Sequence, residues 1–143
     1  MNNKKRGANF EKQMAEWLSR QGYWVHFCNP APDGSQPCDL IAAAGASTDD
    51  ELAMFAAFDC KTLEGENHNL DGLRFPLSRI EDNQETSFER MNFAGLHNTY
   101  FVIKLNKTQA VIAPSQLLIQ KKKQGQKSIH LRELVQYGII SLQ

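Results

Sequence analysis

The residues best placed to do chemistry in this 143-residue chain are two acids and a lysine at the ends of two short apolar runs. Asp39 follows Pro37-Cys38 and precedes an apolar run from Leu40 to Ala44. Asp59, Cys60 and Lys61 close the run Met54-Phe55-Ala56-Ala57-Phe58. Side chains alternate along a strand, so Asp59 and Lys61 project from one face. Two carboxylates with a nearby ammonium are the minimum set for holding Mg²⁺ and hydrolysing a phosphodiester, because the acids take the hard cation and the cation activates a water. The backbone carbonyl of Cys60 and waters would complete the octahedral shell. Lys61 would position the attacking water or neutralise charge developing on the phosphate oxygens. Each residue also has a plain structural reading. An aspartate in Asp39's place can close a proline turn through backbone N–H groups, and Asp59 with Lys61 can form an ion pair at a strand end.

Two further polar residues converge on this set. Glu11 lies one position after Phe10 on an amphipathic segment, where it could overhang a sheet edge as a third carboxylate; it could equally be an ordinary helix-surface glutamate. Gln84 sits on the apolar side of a second helical segment, four residues before Phe88, and needs a polar partner. It could fix Lys61 or a phosphate oxygen, or be a satisfied amide at a helix–sheet seam. His26, His68, His97 and His130 fall in unrelated segments without metal-ligand spacing, and there is no P-loop glycine pattern and no GxSxG.

The elements that must position these groups follow from periodicity. Phe10, Met14, Trp17 and Leu18 make one stripe of a helix from Asn9, as N-cap, to about Gln21, with Gly22 beyond its end. Tyr23 to Cys28, aromatic and β-branched, predicts a strand, and the Pro30/Pro32/Gly34 stretch a loop. Cys38–Ala44 and Leu52–Lys61 predict a hairpin whose polar turn is 45–51 and whose open end carries Asp39 on one arm and Asp59 on the other. Residues 62–74 read as a loop, and a helix is expected from Leu77 or Ser78 to about Phe93. Strands at Thr99–Leu105 and Gln109–Ala113, a short helix from Pro114-Ser115 to about Lys121, and a last helical turn at Leu131–Val135 complete the chain. The order α-β-β-β-α-β-β-α implies an α/β fold, a mixed central sheet flanked by helices. One domain spans 1–143, with a flexible basic stretch at 1–7 and a flexible Lys/Gln-rich loop at 120–128.

Bulk properties agree with a single soluble domain. No apolar run is long enough to cross a membrane, and three cysteines without CxxC spacing suit reduced thiols in a cytoplasmic protein. Formal net charge is zero, which argues against a strong non-specific duplex binder acting as a monomer. Local charge is uneven, however. Lys4, Lys5 and Arg6, Arg74 and Arg79, and Lys121, Lys122 and Lys123 are the candidate contacts to DNA phosphates. Acids cluster at Asp49-Asp50-Glu51, which we read as a solvating hairpin tip.

Glu11 within Gly7-x-x-Phe10-Glu11, then Asp39, Asp59-Cys60-Lys61 and Gln84-x-x-x-Phe88 together resemble the PD-(D/E)xK nuclease superfamily. Phe75-Pro76-Leu77-Ser78-Arg79-Ile80, followed by Gln84 and the strand Tyr100-Phe101-Val102-Ile103, resembles more narrowly the RecU-type Holliday junction resolvases, also known as penicillin-binding-protein-related factor A. The resemblance spans Gly7 to about Leu118. It implies a restriction-endonuclease-like core, a homodimer with two active sites, and Mg²⁺-dependent nicking of four-way DNA junctions, with Mn²⁺ able to substitute. Three departures accompany it. Cys38 separates Pro37 from Asp39; Asp59 stands where the resolvases usually have glutamate; and the long stalk segment before the first aspartate is replaced by the short loop Asn29–Pro37. The chemistry survives these changes, but junction specificity does not follow from them. The alternatives are a nuclease of this superfamily acting on flap, single-stranded or duplex DNA, and a non-catalytic DNA-binding recombination module.

Overall fold

The computed structural model describes residues 3–33, 36–44, 55–63 and 73–143, with side chains from Gly7 onward in the first of these ranges. The predicted turn at 45–51, with its Asp49-Asp50-Glu51 tip, and most of the predicted 62–74 loop lie outside the described residues. Helix α1 (Asn3–Arg20) buries Phe10, Met14, Ala15 and Leu18, the stripe that the helical period demands. It begins at Asn3 rather than at Asn9, because Lys4, Lys5 and Arg6 are good helix formers; Asn9 is an exposed residue within the helix. Gly22, at φ +95°, ends it: Gly22 N–H reaches Ser19 O and Tyr23 N–H reaches Leu18 O. That closure needs a left-handed residue, which glycine adopts without a Cβ clash.

Strands β1 (Trp24–Phe27), β2 (Leu40–Ala43), β3 (Phe55–Thr62), β5 (Thr99–Lys104), β6 (Gln109–Pro114) and β8 (Ile139–Ser141) form one sheet in the order β1-β2-β3-β5-β6-β8. β2 and β3 pair antiparallel, as the predicted hairpin requires, and β3 and β5 pair parallel across the crossover that contains helix α2 (Asp82–Phe93). A second, two-stranded sheet joins β4 (Arg74–Pro76) to β7 (Ser128–His130). The chain is thus a mixed α/β fold, a central mixed sheet flanked by helices.

Alternation on β3 decides what each layer sees. Ala56 and Phe58 face α1 together with Leu40, Ala42 and Val102, while Ala57 faces the opposite layer with Phe101 and Ile103. That second layer contains α2, helix α3 (Ser115–Lys123) and helix α4 (Leu131–Val135) over Phe75, Leu77, Phe88 and Leu118. The rings of Phe88 and Phe101 meet edge to face at 5.1 Å, the geometry that aromatic quadrupoles favour.

The predicted helix starting at Leu77 or Ser78 divides in two. Leu77–Arg79 is a 3₁₀ turn, and α2 starts at Asp82 after the extended residues Ile80 and Glu81. Glu81 and Gln84 form a capping box, so the new helix start is written at the side-chain level. The predicted lysine-rich loop at 120–128 is shorter than expected, because α3 continues to Lys123. Three-residue strands β4, β7 and β8 carry too few residues for a period-two pattern to register in the sequence. Phe88 is fully buried at the α2–sheet seam; Phe88→Ala is expected to cost about 3–5 kcal/mol, read as a lowered urea midpoint.

Candidate active site

Asp39 and Asp59 meet because of strand register. The β2–β3 pairing ends at Leu40 opposite Phe58, and one more step places Asp39 opposite Asp59. Asp39 N–H still donates to Phe58 O at 3.0 Å, and Cys28 N–H donates to Asp39 O at 2.9 Å, so the backbone of Asp39 is held by both neighbouring strands. By alternation Asp59 and Lys61 share Ala57's face and point toward α2. The hairpin, rather than linear proximity, brings the two aspartates together.

Each side chain has identified neighbours. Asp39 Oδ2 accepts from Cys60 N–H at 2.8 Å, and Asp39 Oδ1 accepts from Gln36 Nε2 at 2.7 Å. Asp59 is 2% exposed and Lys61 8%. Lys61 Nζ stands 3.1 Å from Asp59 Oδ2, yet that oxygen receives no well-directed hydrogen bond. The Lys61 ammonium instead donates to Gln84 Oε1 at 2.9 Å. The same Gln84 oxygen accepts from Glu81 N–H at 3.0 Å, so the cap of α2 also anchors the lysine. Gln84 is therefore both an amide satisfied at a helix start and the partner of Lys61. Glu11 reaches Asp39 from α1, across the end of the sheet, and the two carboxyl groups come within hydrogen-bonding reach.

Crowding acids in this way pushes their protons on. Burial, followed by the Asp39 charge, raises the Glu11 carboxyl from 4.5 to about 7. Asp59 rises from 3.8 to about 8, chiefly by burial and then by the Asp39 charge, with the Lys61 ammonium pulling the other way. Two carboxyl groups in contact must share a proton or a cation. The donors suit a hard cation. Asp59 Oδ2 is a buried carboxylate oxygen in ion-pair contact with Lys61 Nζ but with no well-directed hydrogen bond, and Asp39 is beside it. Strand geometry also turns the Cys60 carbonyl toward the same edge as its N–H. Among the described residues no three His, Cys, Asp or Glu side chains close around one point as an all-protein cage. Mg²⁺ commonly binds through one or two carboxylates and keeps several waters, so a pair of aspartates is a donor set of the kind it uses. Asp39, Asp59 and the Cys60 carbonyl are the groups that could hold it, with Glu11 at its margin.

The basic residues expected at DNA are placed less uniformly. Lys4, Lys5 and Arg6 fall in the first turns of α1. Arg74 donates to Ser128 Oγ at 2.7 Å and remains exposed. The Arg79 guanidinium binds Thr62 O, at the end of β3, and lies 5.8 Å from the Phe75 ring centroid. Lys122 Nζ bridges Ile80 O at 2.6 Å and Glu85 Oε2 at 2.7 Å, and Lys123 pairs with Glu89. Lys121 is half-buried near the end of α3. Arg79 and Lys122 thus brace the strand and helix ends that carry Lys61 and Gln84. Sequence reasoning missed Gln36 and the Cys60 N–H as holders of Asp39; only Gln36's place three residues upstream hinted at the first.

No protein-family model matches the sequence, and no curated protein matches it at a significant level. The structure is similar to a Holliday junction resolvase. That protein is Hjc of Archaeoglobus fulgidus, an archaeal hyperthermophile; the match has a TM-score of 0.53 and 19% identity and covers 78% of this chain and 75% of that one. Likeness at this identity shows a shared fold, the same fold that the PD-(D/E)xK pattern implied. The segment that carried the narrower RecU resemblance has a packing explanation: Phe75, Leu77 and Ile80 are fully buried core residues.

Two outcomes are expected. Because the folded-state values of Glu11 and Asp59 are raised, the folded chain holds more protons than the unfolded chain between about pH 4 and 8. Stability is then fully present below pH 4 for these groups and is lost as pH rises toward 8. In chelator-treated protein the thermal midpoint should fall across that window, Mg²⁺ should restore it most at the alkaline end, and Asp59→Asn should flatten the slope. Gln36→Ala frees one Asp39 oxygen; it is expected to raise the Mg²⁺ concentration that stabilises the fold by roughly 10- to 100-fold, measured by thermal melts across a metal titration.

Proposed function

We propose that this protein is a Mg²⁺-dependent DNA endonuclease that hydrolyses phosphodiester bonds in branched DNA during recombination or repair, with a four-way junction as its first candidate substrate. One observation carries this reading: Asp39 and Asp59 converge at a strand end beside a buried Lys61 that Gln84 holds in place. The shared fold with a Holliday junction resolvase supports it.

The roles follow from the geometry. Asp39 and Asp59 would hold the cation, with the Cys60 carbonyl, and when bound the ion would neutralise phosphate charge and make a water more acidic. Lys61, its ammonium fixed between Asp59 and Gln84, is oriented to hold a water or to meet charge growing on a phosphate oxygen. Glu11, with its carboxyl near neutrality, can take up or release a proton at the margin of the site. Gln36 and the Cys60 N–H keep both Asp39 oxygens aligned.

A homodimer would place two such sites on one substrate and double the basic surface of a chain with zero net charge. Among the described residues no helix is long and apolar enough to cross a membrane. The three free cysteines, Cys28, Cys38 and Cys60, suit a reducing cytoplasm, where we place the protein. Mn²⁺ is expected to replace Mg²⁺, since both favour oxygen donors in octahedral geometry. A second reading, cleavage of flap, single-stranded or duplex DNA, is favoured by the short connection Asn29–Pro37 ahead of Asp39.

The test is cleavage of a labelled four-way junction with Mg²⁺ beside matched flap, single-strand and duplex controls. Paired symmetric nicks confined to the junction would bear out the junction substrate, and Lys61→Ala should slow Mg²⁺-dependent cutting by roughly 10²- to 10⁴-fold. Equal cutting of the controls would keep the nuclease and remove the junction role. DNA binding without any cutting would favour the non-catalytic module.

A further inference from the structure

The face of the sheet that carries the carboxylates continues sideways onto an open aromatic surface. In β1, Trp24 pairs with Ala43 and His26 with Ile41, and one more step brings Cys28 opposite Asp39. Cross-strand partners share a face, so Trp24 and His26 stand on the side of the sheet to which Asp39 and Asp59 point. Their rings are stacked, with centroids 5.8 Å apart and planes 13° from parallel. Trp24 is 64% exposed and His26 is exposed as well. β1 is an edge strand, so both rings stand open to a partner beside the carboxylates.

From strand spacing, His26 is roughly 8 Å and Trp24 roughly 14 Å from Asp39. Those spans correspond to about two to four nucleotides of a stacked strand, at roughly 3.4 Å per base. A base two to four nucleotides from a phosphate bound through a cation at Asp39 and Asp59 could therefore reach the rings, provided that it is not paired and stacked within a duplex. A second copy of the chain is a poorer occupant. A stable interface needs roughly 800 Å² on each partner, whereas two aromatic side chains supply a few hundred at about 150–250 Å² each.

We propose that Trp24, with His26 behind it, is a stacking platform for an unpaired base flanking the cut, so that the site selects DNA with unpaired nucleotides beside the scissile phosphate. This rests on the nuclease reading and, within it, favours the flap or single-stranded substrates of the second reading over a fully paired four-way junction. The platform holds and orients the substrate strand; it takes no part in bond breaking.

The experiment compares the wild type with Trp24→Ala, Trp24→Phe and His26→Ala. Fluorescence anisotropy in chelator gives the affinity for a DNA flap with an unpaired tract and for a fully paired duplex of the same sequence. 2-Aminopurine placed along the tract reports stacking. Trp24→Ala is expected to lose at least about tenfold affinity for the flap and about twofold or less for the duplex, the scale of one lost aromatic stacking partner. Trp24→Phe should retain most of the affinity, His26→Ala should show a smaller flap-selective loss, and 2-aminopurine quenching should peak two to four nucleotides from the cut. Equal losses on flap and duplex, or no loss, would overturn the platform. A drop from dimer to monomer in Trp24→Ala by sedimentation would instead assign the surface to a second copy. If the wild type cuts DNA while Trp24→Ala behaves like it, only this inference fails. If the wild type neither binds nor cuts DNA, the nuclease reading fails with it.

Discussion

Three carboxyl groups and one ammonium share a partly dry space at the end of the β2–β3 hairpin, and much of the surrounding structure serves to keep them there. Ionised carboxylates at this range repel one another, and burial strengthens the repulsion because little solvent screens it. Lys61 offsets part of that charge but cannot offset it all. The remainder is carried as protons held well above the ordinary carboxylate range on Glu11 and Asp59. Such an arrangement costs stability for a chain by itself, and a cation bound there would relieve the repulsion.

The restraints around the cluster come from both layers of the molecule. Asp39 is tied through its backbone to β1 and β3 and through its side chain to Gln36 and Cys60. Lys61 is tied to the start of α2 by Gln84, and that start is braced from α3 by Lys122, which bonds Ile80 O and Glu85. Arg79 fastens the end of β3 at Thr62. Cations that an electrostatic view of the sequence assigns to phosphate are thus also struts of the site. A chain of zero net charge spends part of its basic complement internally.

Much of the site was legible in the sequence because its chemistry is local. Asp59 and Lys61 lie on one strand, and period-two alternation alone puts them on one face. An acid inside a strongly apolar run needs a partner, and that need was visible without coordinates. Asp39 was placed by recognising a hairpin, where only the residue types at the two ends mattered. Gln84 stood out as an amide on an apolar helix face, although its second role as the cap of α2 depended on a helix break that periodicity passed over. The helix start at Asn3, the extended residues Ile80 and Glu81, and the short strands β4, β7 and β8 were not legible. Each is set by a few residues whose partners are distant in the chain.

By itself the sequence determined which groups are available and which of them are forced into company: the acids and lysine of β2 and β3, the buried stripes of α1 and α2, and a mixed sheet between them. Tertiary structure decided how these groups meet. Only the parallel insertion of β3 beside β5, with α1 on one face and α2 on the other, brings Glu11 over the sheet end to Asp39 and sets Gln84 against Lys61. Only strand order leaves Trp24 and His26 on an open edge of the face carrying the carboxylates. The physical reason is one of range. Alternation, helical period and turn chemistry act over a few residues and can be read along the chain. Burial, repulsion between carboxylates and hydrogen bonds between layers act through space and exist only once the chain has folded.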